Sequence, residues 1–546
     1  VKPFRRSATT NTVTRDFYVR IYRYIIIFFN ASMIALYLSK FVKNKIFLTI
    51  AAYHDKMIDF LVSNIVKGFG IIAFWGINLL YLIYFSSKRE EEKSRISTGK
   101  VFTPRHSLMT EILQISHIRT IYHIFIVILI ILFLNTVVYD LVDQGSINVG
   151  FNLIRLGFGK IGTVAIIWSS MQLAALLPHP LLRLWANGRQ ILVWHAKVLR
   201  VWDIGWLLFF ISFQITFFTL SLTALVKFQL PIVSSLIISL ETMRFVMKMH
   251  AFVRSVSPRA LQRPPAPSSP HIPLPPFSCY TYFLFAPTLI YRDSYPRTGH
   301  TRWGVVAVRL LEIAAIIFYI SFLCERFLLG NFSNFGKPNE VLEAKQLVLA
   351  MFGSMMPALL MYLCGFYLLL HSWLNATSEM LTFADRQFYA DWWNKSNYAA
   401  FYRTWNMVVH DWLHTYIYKD ALILSGSRLV GTLLVFVISA IFHEVVLSFA
   451  FGFFYPVMLV MFGFFGVLLV FLTKHATPAV GNIFMWWSLA VGNGVMWSLY
   501  SMEYFARKNC PTPAHPDIWD LFVPRSWSCH QITLNPDWKF QNPLDQ

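Results

Sequence analysis

Two polar residues near the end of the chain have the types needed for proton chemistry inside a membrane. His443 and Glu444 interrupt the segment 429–449, which is otherwise nearly all Val, Leu, Ile, Phe and Ala, with Ser439 one turn before the histidine. Polar groups at membrane depth cost free energy and tend to line cavities or reaction paths. A desolvated imidazole favours its neutral form, which is the form a general base needs. The alternative is a hydrogen bond between packed helices.

Asn406 and His410 form a second candidate pair. Their spacing places them on one face of a helix, and an amide near a reacting carbonyl can donate to developing negative charge. The alternative is a surface amide and an interfacial histidine. His410 and His414 also have the spacing of two zinc ligands on a metalloprotease helix. The sequence offers no convincing third ligand, and the acid between them is Asp411 rather than Glu, so we expect no metal site.

Aromatic residues surround these candidates. The run consists of Phe388, Tyr389, Ala390, Asp391, Trp392, Trp393 and Asn394, and Trp405 follows it. On physical grounds alone, a packing motif at the membrane boundary explains such a run better than chemistry does. The nearby acids Glu444, Asp391 and Asp411 are candidates to orient a histidine or to pair with Arg386 or Arg403, and spacing does not choose among these options.

The whole chain has the composition of a polytopic membrane protein. Of its 546 residues, 56% are hydrophobic, 17% aromatic and only 14% charged. Apolar runs of about 20 residues are long enough to cross a bilayer. We predict an all-α membrane bundle with about nine spans, near 121–139, 161–178, 204–226, 230–247, 304–326, 346–372, 429–449, 452–472 and 483–501. Two further apolar runs, at 24–38 and 69–86, are candidates for a hairpin or for interfacial segments.

The charge of +20 reflects topology rather than nucleic-acid binding, because the basic residues sit in loops between the apolar runs. With positive loops and the N-terminus in the cytosol, an odd number of spans places the C-terminal tail in the lumen. Two of the five cysteines, Cys510 and Cys529, flank a Pro-rich stretch of that tail. An oxidising lumen favours a disulfide between them; the alternative is two unrelated thiols.

Two loops are too long to be simple connectors. The first, 249–303, opens with a basic helix-like stretch and continues into a Pro-rich, extended linker. The second, 373–428, is rich in Trp, Tyr and Phe with interleaved charges. This pattern predicts amphipathic helices along the cytosolic membrane face, and the loop is a candidate to dip inward.

The motifs together resemble the membrane-bound O-acyltransferase family. The resemblance rests on 388–394, on Asn406 and on His443-Glu444, and it is to the branch of sterol and diacylglycerol enzymes. The segments 402–406, 410–413, 282–297 and 524–529 are similar to the sterol enzymes within that branch. The resemblance extends from about His106 to Cys529.

The resemblance implies the roles of individual residues. His443 is the catalytic histidine that deprotonates the sterol 3-hydroxyl, and Asn406 is its companion near the acyl thioester. We expect His410, Glu444 and Trp405 to support them. The positions that match the acyl-CoA site of the family are Arg403, Tyr418, Arg428 and Ser439. The family also implies a homodimer or homotetramer in the endoplasmic reticulum membrane.

We therefore predict an acyl-CoA:sterol acyltransferase of three parts: a variable region 1–105, a catalytic membrane core 106–505 and a lumenal tail 506–546. Acyl-CoA arrives from the cytosol and the sterol from the membrane lipid, and the scheme requires no cofactor, metal or nucleic acid. Two alternatives remain. A diacylglycerol acyltransferase would make triacylglycerol, and a transporter or channel would use His443 and Glu444 to relay protons or ions.

Overall fold

The computed structural model describes residues 100–145, 150–192, 194–261, 274–337, 344–510 and 524–528. The chain divides at Leu61, and every described residue belongs to the unit Val62–Gln546. The apolar runs at 24–38 and 69–86, and the linker at 262–273, lie outside the described residues. The division into 1–105, 106–505 and 506–546 stays a prediction.

The described residues form helices and contain no strand. Two isolated bridges, Arg105 to Asp385 and Arg297 to Phe383, join extended segments. The helices are α1 Leu108–Ile112, α2 Ser116–Tyr139, α3 Phe151–Gly157, α4 Ile161–Leu176, α5 Pro178–Ile191, α6 Ala196–Lys227, α7 Ile232–Leu261, α8 Phe277–Phe285, α9 Trp303–Leu323, α10 Gly330–Phe332, α11 Ala344–Phe366, α12 Leu374–Met380, α13 Tyr398–Trp405, α14 Met407–Leu413, α15 Lys419–Ser425, α16 Arg428–Phe451, α17 Val457–Val460, α18 Val467–Leu472, α19 Pro478–Asn509 and α20 Arg525–Ser528. Wide, π-helical turns continue several of them, including His414–Tyr418 and Met461–Gly466.

Six of the nine predicted spans are confirmed as helices long and apolar enough to cross a membrane. Within the described residues these are Ser116–Asp143, Ile161–Ile191, Ala196–Lys227, Trp303–Phe332, Leu347–Met380 and Arg428–Phe451. The runs at 230–247, 452–472 and 483–501 are also helical, but they do not meet the same requirements. The helix of the first contains charged residues, among them Glu241, Arg244 and Lys248. The second forms the short segment Val457–Leu472, and the third lies in a continuous helix that contains Gly, Asn and Trp residues of low hydropathy.

Helix α7 is the most deeply packed helix of the core. Ile238, Phe245, Met249 and Phe252 on it are all 0% exposed. Lys248, also buried, donates from Nζ to three backbone carbonyls in and just after α8, at 2.6 to 3.0 Å. A buried ammonium requires such partners, because an unpaired one costs several kcal/mol. The predicted loop therefore starts later than 249, since α7 continues to Leu261.

Buried ion pairs fix the chain between α12 and the aromatic run. Glu379 is fully buried and accepts from Arg302 at 2.9 Å, and Arg386 lies 2.6 Å from it. Asp385 pairs with Arg105 at 2.6 Å. Arg105 and Arg302 are partly exposed, so the cost of removing one member of a buried pair, typically about 3 to 5 kcal/mol, applies to Arg386 and Glu379. This network holds the start of the aromatic run in place.

The segment α20 docks onto the end of α19 through Glu503. This fully buried carboxylate binds Arg507 Nε at 2.6 Å and accepts from Ser526 Oγ at 2.7 Å. Cys510 is disulfide-bonded. Its predicted partner, Cys529, lies outside the described residues, so the pairing stays a prediction.

Candidate active site

His443 lies past the middle of α16, a helix that buries one set of apolar side chains and exposes another, including Leu433 and Val437. It is 15 residues after Arg428, which corresponds to about 22 Å along the helix. The imidazole side chain is exposed, whereas Glu444 and Val445 beside it are buried. The ring of Phe462, on the Met461–Gly466 turn, stacks on the imidazole with centroids 4.6 Å apart and planes 15° apart. An exposed imidazole at this depth is accessible to another molecule.

The hydrogen bonding of His443 determines which ring nitrogen can act as a base. Nδ1 lies 2.7 Å from the carbonyl oxygen of Ser439. A carbonyl oxygen only accepts, so Nδ1 carries the proton and donates it. In the neutral ring Nε2 then holds the lone pair, and among the described residues it has no hydrogen-bond partner. This tautomer is the one that a general base with a free Nε2 requires.

Asn406 occupies the start of α14 rather than the interior of a helix. Its Oδ1 accepts from the backbone N–H of Val409 at 3.1 Å, which is the bond of a helix N-cap. Asn406 is therefore the cap of the helix that carries His410, and its carbonyl accepts the His410 N–H one turn further on at 3.0 Å. The cap fixes the amide orientation, since its oxygen is engaged and its Nδ2 remains a possible donor.

The aromatic run packs into the protein. Phe388, Tyr389 and Trp392 are buried. The Tyr389 hydroxyl lies 2.7 Å from His371 Nδ1. Asp391 pairs with Lys395 at 2.7 Å rather than with a histidine.

The run also binds directly to α19. The Trp393 carbonyl accepts from Asn482 Nδ2 at 2.8 Å and from Trp486 Nε1 at 3.1 Å. Asn394 at the end of the run is exposed. A Cβ at Gly481 would overlap the carbonyl oxygen of Ser396, so the glycine permits this approach. Because Trp486 is 8 residues into α19, the run reaches about 12 Å along that helix.

Trp405 connects the aromatic run to Asn406. Its ring stacks on Tyr362, with centroids 5.9 Å apart, and contacts Phe366 of the same helix. The backbone on either side of it pairs with the run, because Ala390 N–H donates to the Thr404 carbonyl and Met407 N–H to the Phe388 carbonyl. These backbone bonds to the aromatic run therefore fix the position of Asn406, the residue that follows Trp405.

None of the three candidate acids contacts His443. Glu444 is buried and accepts from the backbone N–H of Leu459 at 3.0 Å, so it ties α16 to the next helix. Asp411 lies 2.7 Å from Lys100 and 3.5 Å from His410 Nδ1. Burial alone would raise the pKa of Asp411, but the His410 hydrogen bond and the Lys100 charge outweigh it and lower that pKa. Of the three candidate acids, Asp411 therefore lies beside His410.

His410, His414 and Tyr418 form a stacked ladder along α14 and the turn after it. Successive ring centroids are 6.0 and 5.3 Å apart, with planes within 16° of parallel. Burial, followed by the nearby His410 and Lys419, lowers the pKa of His414. Within the described residues, no group of three or more His, Cys, Asp or Glu is placed to hold a metal ion.

The predicted acyl-CoA residues fall into two groups. Ser439 lies one turn from His443, and its carbonyl holds the imidazole. Tyr418 packs on α16, where a Cβ at Gly431 would lie 3.0 Å from its ring. Arg403 on α13 and Arg428 at the start of α16 are exposed, and neither has an ion-pair partner among the described residues. No hydrogen bond or ion pair joins any two of these four described residues.

Comparison with known proteins identifies the family of this chain. The profile of MBOAT, the membrane-bound O-acyltransferase family, matches residues 158–502. The chain belongs to the membrane-bound O-acyltransferase family. It is 42% identical to sterol O-acyltransferase 1 of Cricetulus griseus over 80% of this chain and 79% of that protein. It is 39% identical to sterol O-acyltransferase 2 of Homo sapiens over 82% of this chain and 83% of that protein.

Sequence reasoning missed two aromatic residues of this membrane-bound O-acyltransferase. Phe462 stacks on His443, and Tyr402 packs edge-on against Phe436 of α16, with centroids 5.1 Å apart. A Cβ at Gly466 would lie 3.0 Å from the Tyr402 hydroxyl. The signal was present in the Met-Phe-Gly-Phe-Phe-Gly sequence, in which small residues let helices approach closely in a membrane.

Proposed function

We propose that this protein transfers a long-chain fatty acyl group from acyl-CoA to the 3-hydroxyl of a sterol, giving a steryl ester and CoA. The supporting observation is an accessible His443 Nε2, without a described partner, in a chain about 40% identical to sterol O-acyltransferases over most of its length. The family supplies the reaction type, and the relatives favour a sterol over diacylglycerol as the acceptor.

His443 acts as the general base. Nε2 takes the proton of the sterol hydroxyl while the oxygen attacks the thioester carbon. The carbon–sulfur bond then breaks, the acyl group remains on the sterol oxygen, and the CoA thiolate recovers the proton from the imidazolium. A positioned base of this kind typically contributes about 10² to 10⁴ in rate. Both substrates react directly, so no acyl-enzyme is required.

Asn406 stabilises the thioester oxygen as it gains negative charge. Its Oδ1 is held by the Val409 N–H, so the amide is pre-oriented and Nδ2 is available to donate. Arg403 and Arg428, both exposed cations, bind the anionic head of acyl-CoA, and His410 and Tyr418 pack beside it. The helical rise places His443 about 22 Å from Arg428 along α16. The CoA group must therefore span about that distance between a head bound at Arg428 and a thioester at His443.

A product assay with purified protein tests the proposal. Labelled oleoyl-CoA is supplied with either cholesterol or dioleoylglycerol, and the ester formed is identified by chromatography and mass spectrometry. We expect cholesteryl oleate. Triacylglycerol without steryl ester would establish the diacylglycerol alternative, and no ester with either acceptor would contradict both.

Two histidine variants test the base. His443→Ala should lose at least about 10²-fold in turnover, with an unchanged elution profile in detergent. His475→Ala is the matched control, because His475 is exposed in the turn between α18 and α19. Near-normal activity of the His443 variant would show that the imidazole is a packing residue.

The proposal includes a location and an assembly. The protein works as a homodimer or homotetramer in the endoplasmic reticulum membrane, with acyl-CoA entering from the cytosol and sterol from the bilayer. No cofactor takes part. Co-localisation with a resident endoplasmic reticulum marker and mass photometry of the purified protein test these two statements. A plasma-membrane signal or a single monomer peak would contradict them.

A further inference from the structure

Phe462 contacts His443 but has no role in the reaction described above. It lies on the π-helical turn Met461–Gly466, which packs against α16. Its ring is parallel to the His443 imidazole, with planes 15° apart and centroids 4.6 Å apart. The contact is face to face, so the edge of the imidazole that carries Nε2 stays unobstructed.

Two contacts together determine the orientation of the His443 ring. The Nδ1–H bond to the Ser439 carbonyl selects one of the two ring flips, because the flipped ring would lose that acceptor. The Phe462 face then limits rotation out of the plane. Among the described residues, these two are the hydrogen-bonding and ring contacts of the imidazole.

The Ser439 carbonyl and the Phe462 ring also flank the positive charge that His443 gains during the reaction. When Nε2 takes the hydroxyl proton, a neutral ring becomes a cation inside an apolar helix. The neighbouring carboxyl group cannot neutralise it directly, because Glu444 is directed to the Leu459 N–H. An aromatic face attracts a cation, and this attraction is strongest where water is excluded. Phe462 presents such a face.

We propose that Phe462 is a positioning residue for His443, which holds the imidazole in plane and stabilises the imidazolium that forms as the sterol hydroxyl loses its proton. This inference rests on the proposed function, since it requires His443 to act as the base. Binding of either substrate in the ground state does not require a charged imidazole. Loss of the aromatic face should therefore lower kcat and leave KM for acyl-CoA and sterol unchanged.

A series of phenylalanine analogues tests the electrostatic part at nearly constant shape. Mono-, tri- and pentafluorophenylalanine are introduced at position 462 by codon suppression, and kcat is measured with oleoyl-CoA and cholesterol. Fluorination progressively removes negative charge from the ring face. We expect kcat to fall progressively, by roughly tenfold for the last member, as expected for loss of a desolvated cation–π contact. Phe462→Trp should keep most activity, and Phe462→Leu should behave like the pentafluoro form.

Phe464 provides the matched control. It lies on the same turn, but its side chain is 61% exposed and away from His443. The same analogues at position 464 should leave kcat unchanged. A flat kcat across the series at position 462, with full activity of Phe462→Leu, would overturn the inference even if His443→Ala is inactive. An active His443→Ala enzyme would instead contradict the proposed function itself, so the two failures are distinguishable.

Discussion

Glu444 offers a sharp test, because sequence and structure assign it different roles. Its position next to His443 suggests support of the base, whereas its carboxyl group accepts from the Leu459 N–H at 3.0 Å and from Ser448 Oγ at 3.4 Å. It is only 4% exposed. We therefore expect its substitution to change stability far more than catalysis.

The expected loss of stability follows from the polar group that the substitution leaves without a partner. In Glu444→Ala, the Leu459 N–H loses its acceptor, which costs about 1 to 3 kcal/mol in the free energy of unfolding. Glu444→Gln keeps an acceptor oxygen and should cost less than about 1 kcal/mol. The alanine variant should therefore melt several degrees lower, and the glutamine variant should stay close to the parent.

The assay measures both quantities on the same preparation. Thermal unfolding is followed by tryptophan fluorescence in detergent, and turnover is measured on the monodisperse fraction. We expect kcat within about threefold of the parent for both variants, since no hydrogen bond joins the side chains of Glu444 and His443. A Glu444→Gln enzyme that melts normally but loses about 10²-fold in kcat would refute this reasoning. The carboxyl group would then take part in proton transfer.

Three further outcomes are expected. Asn406→Asp keeps the oxygen that caps α14 but loses the Nδ2 donor, so its melting temperature should stay the same while turnover falls by about 10²- to 10³-fold; a normal rate would remove Asn406 from the site. Mass spectrometry of non-reduced peptides should find Cys510 joined to Cys529, and a different partner for Cys510 would contradict the pairing. The lowered pKa of His414 means that the folded state favours its neutral form. Its contribution to stability should be complete above about pH 6.5 and should be lost as the pH falls below that value. His414→Gln should therefore flatten the melting temperature between pH 7.5 and 5.5, and an unchanged slope would contradict this.

The sequence indicates a candidate site residue wherever a polar side chain in an apolar span costs free energy. A histidine in an otherwise apolar span is expensive, so His443 was visible without any coordinates, and the apolar runs located the helices around it. The cap at Asn406 was also readable in principle, since Asn favours helix starts. The spacing of Asn406 and His410 does not show where a helix begins, so it did not indicate the cap.

Pairing between distant segments could not be predicted in the same way. Glu444 is next to His443 in the chain, but its partner is 15 residues further on, and the choice depends on how α17 packs. Asp385 and Arg105 are 280 residues apart. Such contacts depend on tertiary packing, so a single sequence constrains them weakly. The stacking of Phe462 on His443 belongs to the same class.

Helix α2 differs from the core helices in how little of it touches the rest of the protein. Only 6% of its most apolar stretch is buried inside the protein, and side chains such as Ile121, Ile131 and Val138 are more than half exposed. A membrane helix with so few protein contacts can detach from the bundle at a lower free energy than the core helices. Its 24 residues contain no Trp, and neither do α7 and α16, so tryptophan fluorescence reports on all three helices only through neighbouring residues. Amide hydrogen exchange would be needed to follow α2 separately from the core.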